Sequence, residues 1–247
     1  MVERARRVVV FTGAGVSTEC GIPDFRSPGG LWTRFKPIPF QEFRASAQMR
    51  LEAWRRYFVI YESVREALPG RGHHAIAALH ERGKVSHVIT QNIDGLHRAA
   101  GMPEESVIEL HGNGTYAACL DCGLRHELEE VRGMIADSGE APQCRSCGGP
   151  VKTATVSFGQ AMPEQAMADA RAATLDADLF LAVGSSLQVF PAAGFPILAK
   201  NNGAALIIIN NEPTPLDVMA DLIIAADAGG TLERITQGDS QPQGVRG

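Results

Sequence analysis

An uninterrupted apolar run at residues 8–10, three valines in a row, opens the pattern of this chain and reads as a short buried strand. Glycines follow at Gly13 and Gly15, where the backbone becomes free to turn tightly. Comparable apolar runs recur at residues 85–90, 107–112, 177–183, 204–209 and 221–226, and each predicts a strand. The spacing turns helical over 41–68, where Phe43, Met49, Trp54, Phe58, Tyr61 and Val64 share a rough face. It is helical again over 73–80, 163–173 and 190–200. Strands joined by crossover helices predict an α/β fold with a Rossmann-like parallel sheet. Residues 28–82 break that rhythm, and the helices there read as an inserted module lidding the first loop.

The chemistry-bearing residues cluster where the expected strands end. Gly13, Ala14 and Gly15 let backbone N–H groups close on an anion. Ser17 and Thr18 add hydroxyls at an expected helix start, which together predict a phosphate cradle. The common dinucleotide fingerprint would place glycine at Thr18 and a second strand within about 30 residues, and neither holds. The loop instead runs on through Ile22-Pro23-Asp24-Phe25-Arg26, an aromatic cover and a guanidinium suited to an enclosed nucleotide. Gln91, Asn92 and Asp94 follow the 85–90 strand and suit hydroxyls and a carboxamide. Gly184-Ser185-Ser186, Asn210 and Asp227 end three later strands and suit a ribose and an adenine. His111 closes another strand and has the pKa range of a general base, whereas His97 reads as a structural histidine.

The cysteines add a second feature. Cys119-x-x-Cys122 and Cys144-x-x-Cys147 flank residues 123–143, a spacing close to that of a tetrahedral zinc site with glycine turns after each pair. Four thiolates leave no open position, so the metal is expected to be structural. Composition narrows the rest. The 247 residues can bury a large core, and the net charge of −5 argues against bulk nucleic-acid binding. No apolar run reaches the roughly 18 residues of a membrane span, and a cytoplasmic protein is expected.

Taken together, Gly13-Ala14-Gly15-Val16-Ser17, Gly21-Ile22-Pro23-Asp24-Phe25-Arg26, Gln91 to His97, Glu109-Leu110-His111-Gly112, both cysteine pairs and Gly184-Ser185-Ser186 resemble the sirtuins, the NAD-dependent protein deacylases, over roughly residues 5–235. The resemblance implies an NAD-binding Rossmann-like domain from 1–30, 83–112 and 159–237. It also implies a small domain made of a helical module at 31–82 and a zinc ribbon at 113–158, with a flexible tail at 238–247. By the same likeness, Gly13, Ala14, Gly15, Thr18 and Arg26 would hold the NAD phosphates and nearby groups. Phe25 would cover the reactive ribose, and Gln91 would contact it. Ile93 and Asp94 would grip the nicotinamide, with Asn92 ordering the pocket. Gly184, Ser185 and Ser186 would serve the phosphate and ribose side, Asn210 and Asp227 the adenosine end, and His111 would be the base.

The implied reaction removes an acyl group, acetyl foremost, from protein lysine, releasing nicotinamide and O-acyl-ADP-ribose; ADP-ribosyl transfer to protein is the alternative. Val156, Phe158, Gly159 and Val189 would flank the substrate peptide, paired as an added strand. Acylated lysine-bearing proteins would be the partners of a monomer or weak oligomer without a specific nucleic-acid ligand. Gln160 replaces the family's usual glutamate, Lys152-Thr153 replaces a basic-proline pair, and Ile60, three residues after Tyr57, stands where acid-selective relatives carry arginine.

Overall fold

The computed structural model describes residues 1–23 and 36–237, so the expected contacts of Phe25 and Arg26 and the tail at 238–247 lie outside the described residues. Six strands, β1 (Val8–Thr12), β2 (Val85–Thr90), β3 (Val107–Glu109), β7 (Leu179–Val183), β8 (Ala205–Ile209) and β9 (Leu222–Ile224), form one sheet. Its order is β3-β2-β1-β7-β8-β9, with every neighbouring pair parallel. This is the doubly wound arrangement in which the strand order reverses at β1/β7 and a crevice opens beyond the strand ends.

Period-two alternation divides the strand side chains between two cores. Val8, Val10, Leu181, Val183, Ile207 and Ile209 face helices α3 (Arg71–Glu81) and α8 (Ala228–Gln237), where Ile76, Leu79 and Leu232 meet them. Val9, Phe11, Phe180, Ala182, Leu206 and Ile208 face the other way, toward Ala170 and Ala173 of α6 (Glu164–Asp176) and Phe195 and Ala199 of α7 (Gly194–Asn201). Both faces are covered at the central strands β1, β7 and β8, which is why these read as continuous apolar runs rather than alternating ones, whereas Leu222 and Ile223 of the edge strand β9 stay exposed.

A second, antiparallel sheet of order β5-β4-β6 is built from β4 (Gly112–Cys119), β5 (Arg125–Glu127) and β6 (Val151–Thr155). Its core joins Ala117, Cys119, Cys144 and Val151 to Leu128 and Val131 of α5 (Leu128–Ser138) and to Trp54 of α2 (Ala47–Val64). Trp54 is 1% exposed, and its Nε1–H donates to the Val151 carbonyl at 3.0 Å, so helix and sheet are joined by packing and by a satisfied polar contact.

Two expectations change. The helix expected over 41–68 is two helices, α1 (Phe40–Ala45) and α2, broken at Ser46. That residue adopts extended backbone and caps α2 by accepting the Met49 N–H at 3.2 Å. Residues 73–80 do form a helix, α3, but it packs on the parallel sheet rather than lidding the first loop, because Ile76 and Leu79 are wholly buried in the sheet's core.

Candidate active site

Within the described residues the glycine loop does not lead into an α-helix. After β1 the chain makes two single-turn 3-10 segments, Ala14–Val16 and Thr18–Cys20, and both hydroxyls expected to face an anion are taken up by protein groups, Ser17 in the interior and Thr18 at the exposed cavity rim. Thr18 Oγ1 donates to the Gly15 carbonyl at 3.1 Å, and Ser17, 1% exposed, donates to Asp94 Oδ2 at 2.7 Å. The cradle is therefore backbone. Gly15 N donates to Gly184 O at 2.8 Å, and a Cβ added at Gly15 would lie 2.7 Å from the Gly184 Cα. Gly184 itself has φ 59, so the loops ending β1 and β7 meet backbone to backbone at the switch point because neither residue carries a side chain.

A cavity of about 750 Å³ opens there. Its wall includes Gly13, Ala14, Gly15, Thr18, Gln91, Asn92, Ile93, His111, Gly184, Ser185, Ser186 and Asn210, together with Val156, Phe158, Gly159 and Val189. The structure thus gathers most of the residues singled out from sequence into one space. Asp94 and Asp227 are not in that wall. Asp94 accepts from Ser17 and, at 2.9 Å, from Leu96 N at the start of helix α4 (Leu96–Ala99). Asp227 pairs with Arg71 at 3.2 Å and accepts the Gly230 N–H at 2.6 Å, so its carboxylate is taken up by protein groups.

Polar contacts fix the groups that border the cavity. Gln91 Nε2 donates to Ser185 Oγ at 2.8 Å, and Asn92 Nδ2 donates at 3.1 Å to both Gly13 O and Ser17 Oγ. His111 Nδ1 lies 3.0 Å from the Gln91 carbonyl oxygen. A carbonyl only accepts, so Nδ1 carries the hydrogen and Nε2 keeps its lone pair. Burial lowers the His111 pKa below the ordinary histidine value, partly opposed by that hydrogen bond, and so favours the neutral ring. Behind the wall, His97 is fully buried with Nε2 2.9 Å from Thr12 Oγ1, and Thr12 donates to Thr90 Oγ1 at 2.8 Å.

The cavity is also lined by the pair expected from the resemblance at the acyl position, Tyr57 and Ile60, and by apolar residues that no motif marked. Trp54, Tyr57 and Ile60 of α2, with Ile38 and Phe43, border it. The Tyr57 hydroxyl donates to the Gly114 carbonyl, and burial pushes its pKa up. Helical spacing predicted a buried face at Phe43 and Trp54 but not which cavity it lines, whereas Ile38 carried no signal in the sequence. Gln160, the replacement for glutamate, folds its own turn: its side-chain oxygen accepts from Ser157 N at 3.1 Å, and its N–H donates to Ser157 O at 2.9 Å.

The four cysteines stand apart from this cavity. Their sulfurs all lie within 4.8 Å of one another, with Cys119–Cys147 at 3.5 Å and Cys122–Cys144 at 3.6 Å, near the ~3.8 Å edge of a ZnS₄ tetrahedron. Asp121 N and Ser146 N each donate to a sulfur at 3.4 Å, the amide support that thiolate ligands use. The set is closed and matched to structural zinc.

Compared with known proteins, residues 13–191 match the model of the Sir2 family. The chain belongs to the Sir2 family. Among Sir2 relatives, an NAD-dependent protein deacetylase of Rhodopseudomonas palustris is 58% identical over 232 residues, which is 94% of this chain and 92% of the relative. A solved Sir2 structure with a p53 peptide and NAD+ has a TM-score of 0.83 at 33% identity and covers 96% of this chain and 94% of that one. A second, holding a deacetylated p53 peptide and 3′-O-acetyl ADP-ribose, has a TM-score of 0.88 at 33% identity with the same coverage. The switch-point cavity and the four-cysteine site of this Sir2 chain are thus the two features the sequence marked. Among its described residues no helix is long and apolar enough to cross a membrane.

Proposed function

We propose that this chain removes acyl groups, acetyl foremost, from lysine side chains of proteins, consuming NAD and releasing nicotinamide and O-acyl-ADP-ribose. One observation carries the reading. A backbone cradle, the Gln91–Asn92–Ile93 strand end and a histidine with its lone pair on Nε2 converge on a single cavity also lined by Ile38, Phe43, Trp54 and Ile60. The activity of the Rhodopseudomonas palustris relative, an NAD-dependent protein deacetylase, supports it.

When bound, NAD supplies the ribose carbon that the acyl oxygen attacks as nicotinamide leaves, and the hydroxyls that then take the acyl group. Gly13, Ala14, Gly15 and Thr18 would meet its phosphates through the cradle; the roles expected of Arg26 at the phosphates and Phe25 at the ribose fall outside the described residues. Gly184, Ser185 and Ser186 close the ribose side, and Gln91, held by Ser185, presents its amide there. Ile93 would hold the nicotinamide end, and Asp94, fixed by Ser17 and Leu96 behind the cavity wall, would set the loop that carries it. Asn92 orders that loop through Gly13 and Ser17. Asn210 borders the adenosine, while Asp227 shapes that end through Arg71 and the first turn of α8. His111 Nε2 draws the ribose hydroxyl proton, general-base help of about 10²–10⁴-fold. Val156, Phe158, Gly159 and Val189 take the substrate peptide as an added strand.

We further propose a division into a sheet domain and a small domain of zinc ribbon plus α1 and α2. The chain works as a monomer or weak oligomer, without a specific nucleic-acid ligand given its −5 charge, and in the cytoplasm, where four thiols stay reduced for a metal. The test is an acetyl-lysine peptide incubated with and without NAD. Loss of the acetyl mass only with NAD, one nicotinamide per turnover, is expected. Retained acetyl with ADP-ribose attached to protein would replace deacylation by transferase chemistry.

A further inference from the structure

Strand β6 carries a buried lysine for which the reaction above has no use. Lys152 is 4% exposed and borders the cavity. Its Nζ donates to the Thr155 carbonyl at 2.5 Å, and also reaches the Thr153 carbonyl at 3.3 Å and Thr155 Oγ1 at 3.5 Å. All its acceptors are neutral oxygens, and no carboxylate pairs with it among the described residues. Burial lowers its pKa to about 8. A buried ammonium without a counter-ion is expensive, and a methionine would fill similar space without that cost, so packing alone does not explain a lysine here.

The carbonyl it holds belongs to the peptide unit joining Thr155 to Val156. The N–H of that same unit donates to the His111 carbonyl at 2.8 Å. Two hydrogen bonds therefore pass through one peptide group, and a charge at its oxygen strengthens the donor at its nitrogen. This unit also stands where β6 ends, with Thr155 in register with Gly112, and where the 156–159 segment along the cavity begins.

We propose that Lys152 is a positioning residue: through the Thr155–Val156 peptide unit it fixes both the backbone of His111 and the first residue of the segment that takes the substrate peptide. This rests on the deacylase reading above. The experiment compares wild type, Lys152→Met and Lys152→Arg as full chains, with an acetyl-lysine peptide and NAD. It measures kcat, the KM for each substrate, and Tm. For Lys152→Met, kcat/KM for the peptide falls ~10-fold or more, the usual worth of a charged hydrogen bond. Its KM for NAD stays within about twofold and its Tm is not lowered, since a costly buried charge has gone. Lys152→Arg, still charged and a donor, recovers most of the peptide kcat/KM. Wild-type peptide kinetics in Lys152→Met overturn the proposal. So does a parallel loss of both substrates with a lowered Tm, which marks a merely structural lysine. Should Lys152→Met not fold, Lys152→Gln is judged by the same split. A wild type that neither binds nor turns over the peptide overturns the deacylase reading instead, and this role with it.

Discussion

His111 Nδ1 stands 3.0 Å from the carbonyl oxygen of Gln91, and this contact sets where the proton sits in the candidate active site. The hydrogen is on Nδ1 and the basic lone pair is on Nε2. Because Gln91 is in turn held by Ser185, the ring is oriented by the end of β2 and the loop after β7 together.

His111→Ala is expected to lower kcat by about 10²–10⁴-fold, with the Kd for NAD little changed. Burial lowers the pKa of this ring, so the neutral, competent form persists below the usual 6.5. The acidic limb of kcat/KM should accordingly fall below pH 6.5, and a limb at or above that value would contradict the assignment. Single-turnover rates and titration calorimetry separate the two effects.

Zinc is expected at about one ion per chain, bound by Cys119, Cys122, Cys144 and Cys147. Cys119 and Cys144 also belong to the core that joins β4, β6, α2 and α5. Cys119→Ala or a strong chelator should therefore lower Tm and solubility before altering the pH profile of the remaining active fraction. Elemental analysis beside a melting curve checks this; a metal-free, fully stable and active chain would refute it.

Neutral acyl groups should be preferred over acidic ones. The Tyr57 hydroxyl already donates to Gly114, and Ile60 beside it in the wall has no charge to offer. A carboxylate buried against Ile60 gains no charge partner from that position, and desolvating it is costly. Matched acetyl- and succinyl-lysine peptides should give the larger kcat/KM for acetyl, and Ile60→Arg should raise the succinyl value. A wild-type preference for succinyl would sink the idea.

Acid sensitivity should trace in part to His97. Burial, then the neighbouring His73, depresses its pKa from 6.5 to about 3, so the unfolded chain takes up a proton that the folded chain refuses. The histidine costs nothing above about pH 6.5, and stability is lost as pH falls from there toward 3, by up to ~1.4 kcal/mol per pH unit. Urea unfolding of wild type and His97→Gln at pH 7, 6 and 5 should show a shallower decline in the variant. Equal slopes would assign the acid limb elsewhere.

What could be read from sequence was what is written locally. The all-apolar runs at 8–10, 177–183 and 204–209 became strands buried on both faces, and the two Cys-x-x-Cys turns became four clustered sulfurs, because the apolar run and the thiolate turn are each written within a few residues. The cradle glycines were legible for the same reason. What was missed depends on distant partners. Glu19 accepts the Gly72 N–H at 3.0 Å and Arg71 Nε at 2.9 Å, fastening α3 beneath the loop after β1, and Arg71 then draws Asp227 out of the cavity wall. No periodicity in the 69–82 stretch announces these contacts. Likewise Ser17 reads as a helix cap until Asp94, far along the chain, takes its hydroxyl.

The most direct test of the deacylase account is the mass of the nucleotide formed from NAD and an acetyl-lysine peptide. The account predicts O-acetyl-ADP-ribose, in step with free nicotinamide and unmodified lysine. Reduced NAD, free acetate with intact NAD, or ADP-ribose fixed on protein would each contradict it.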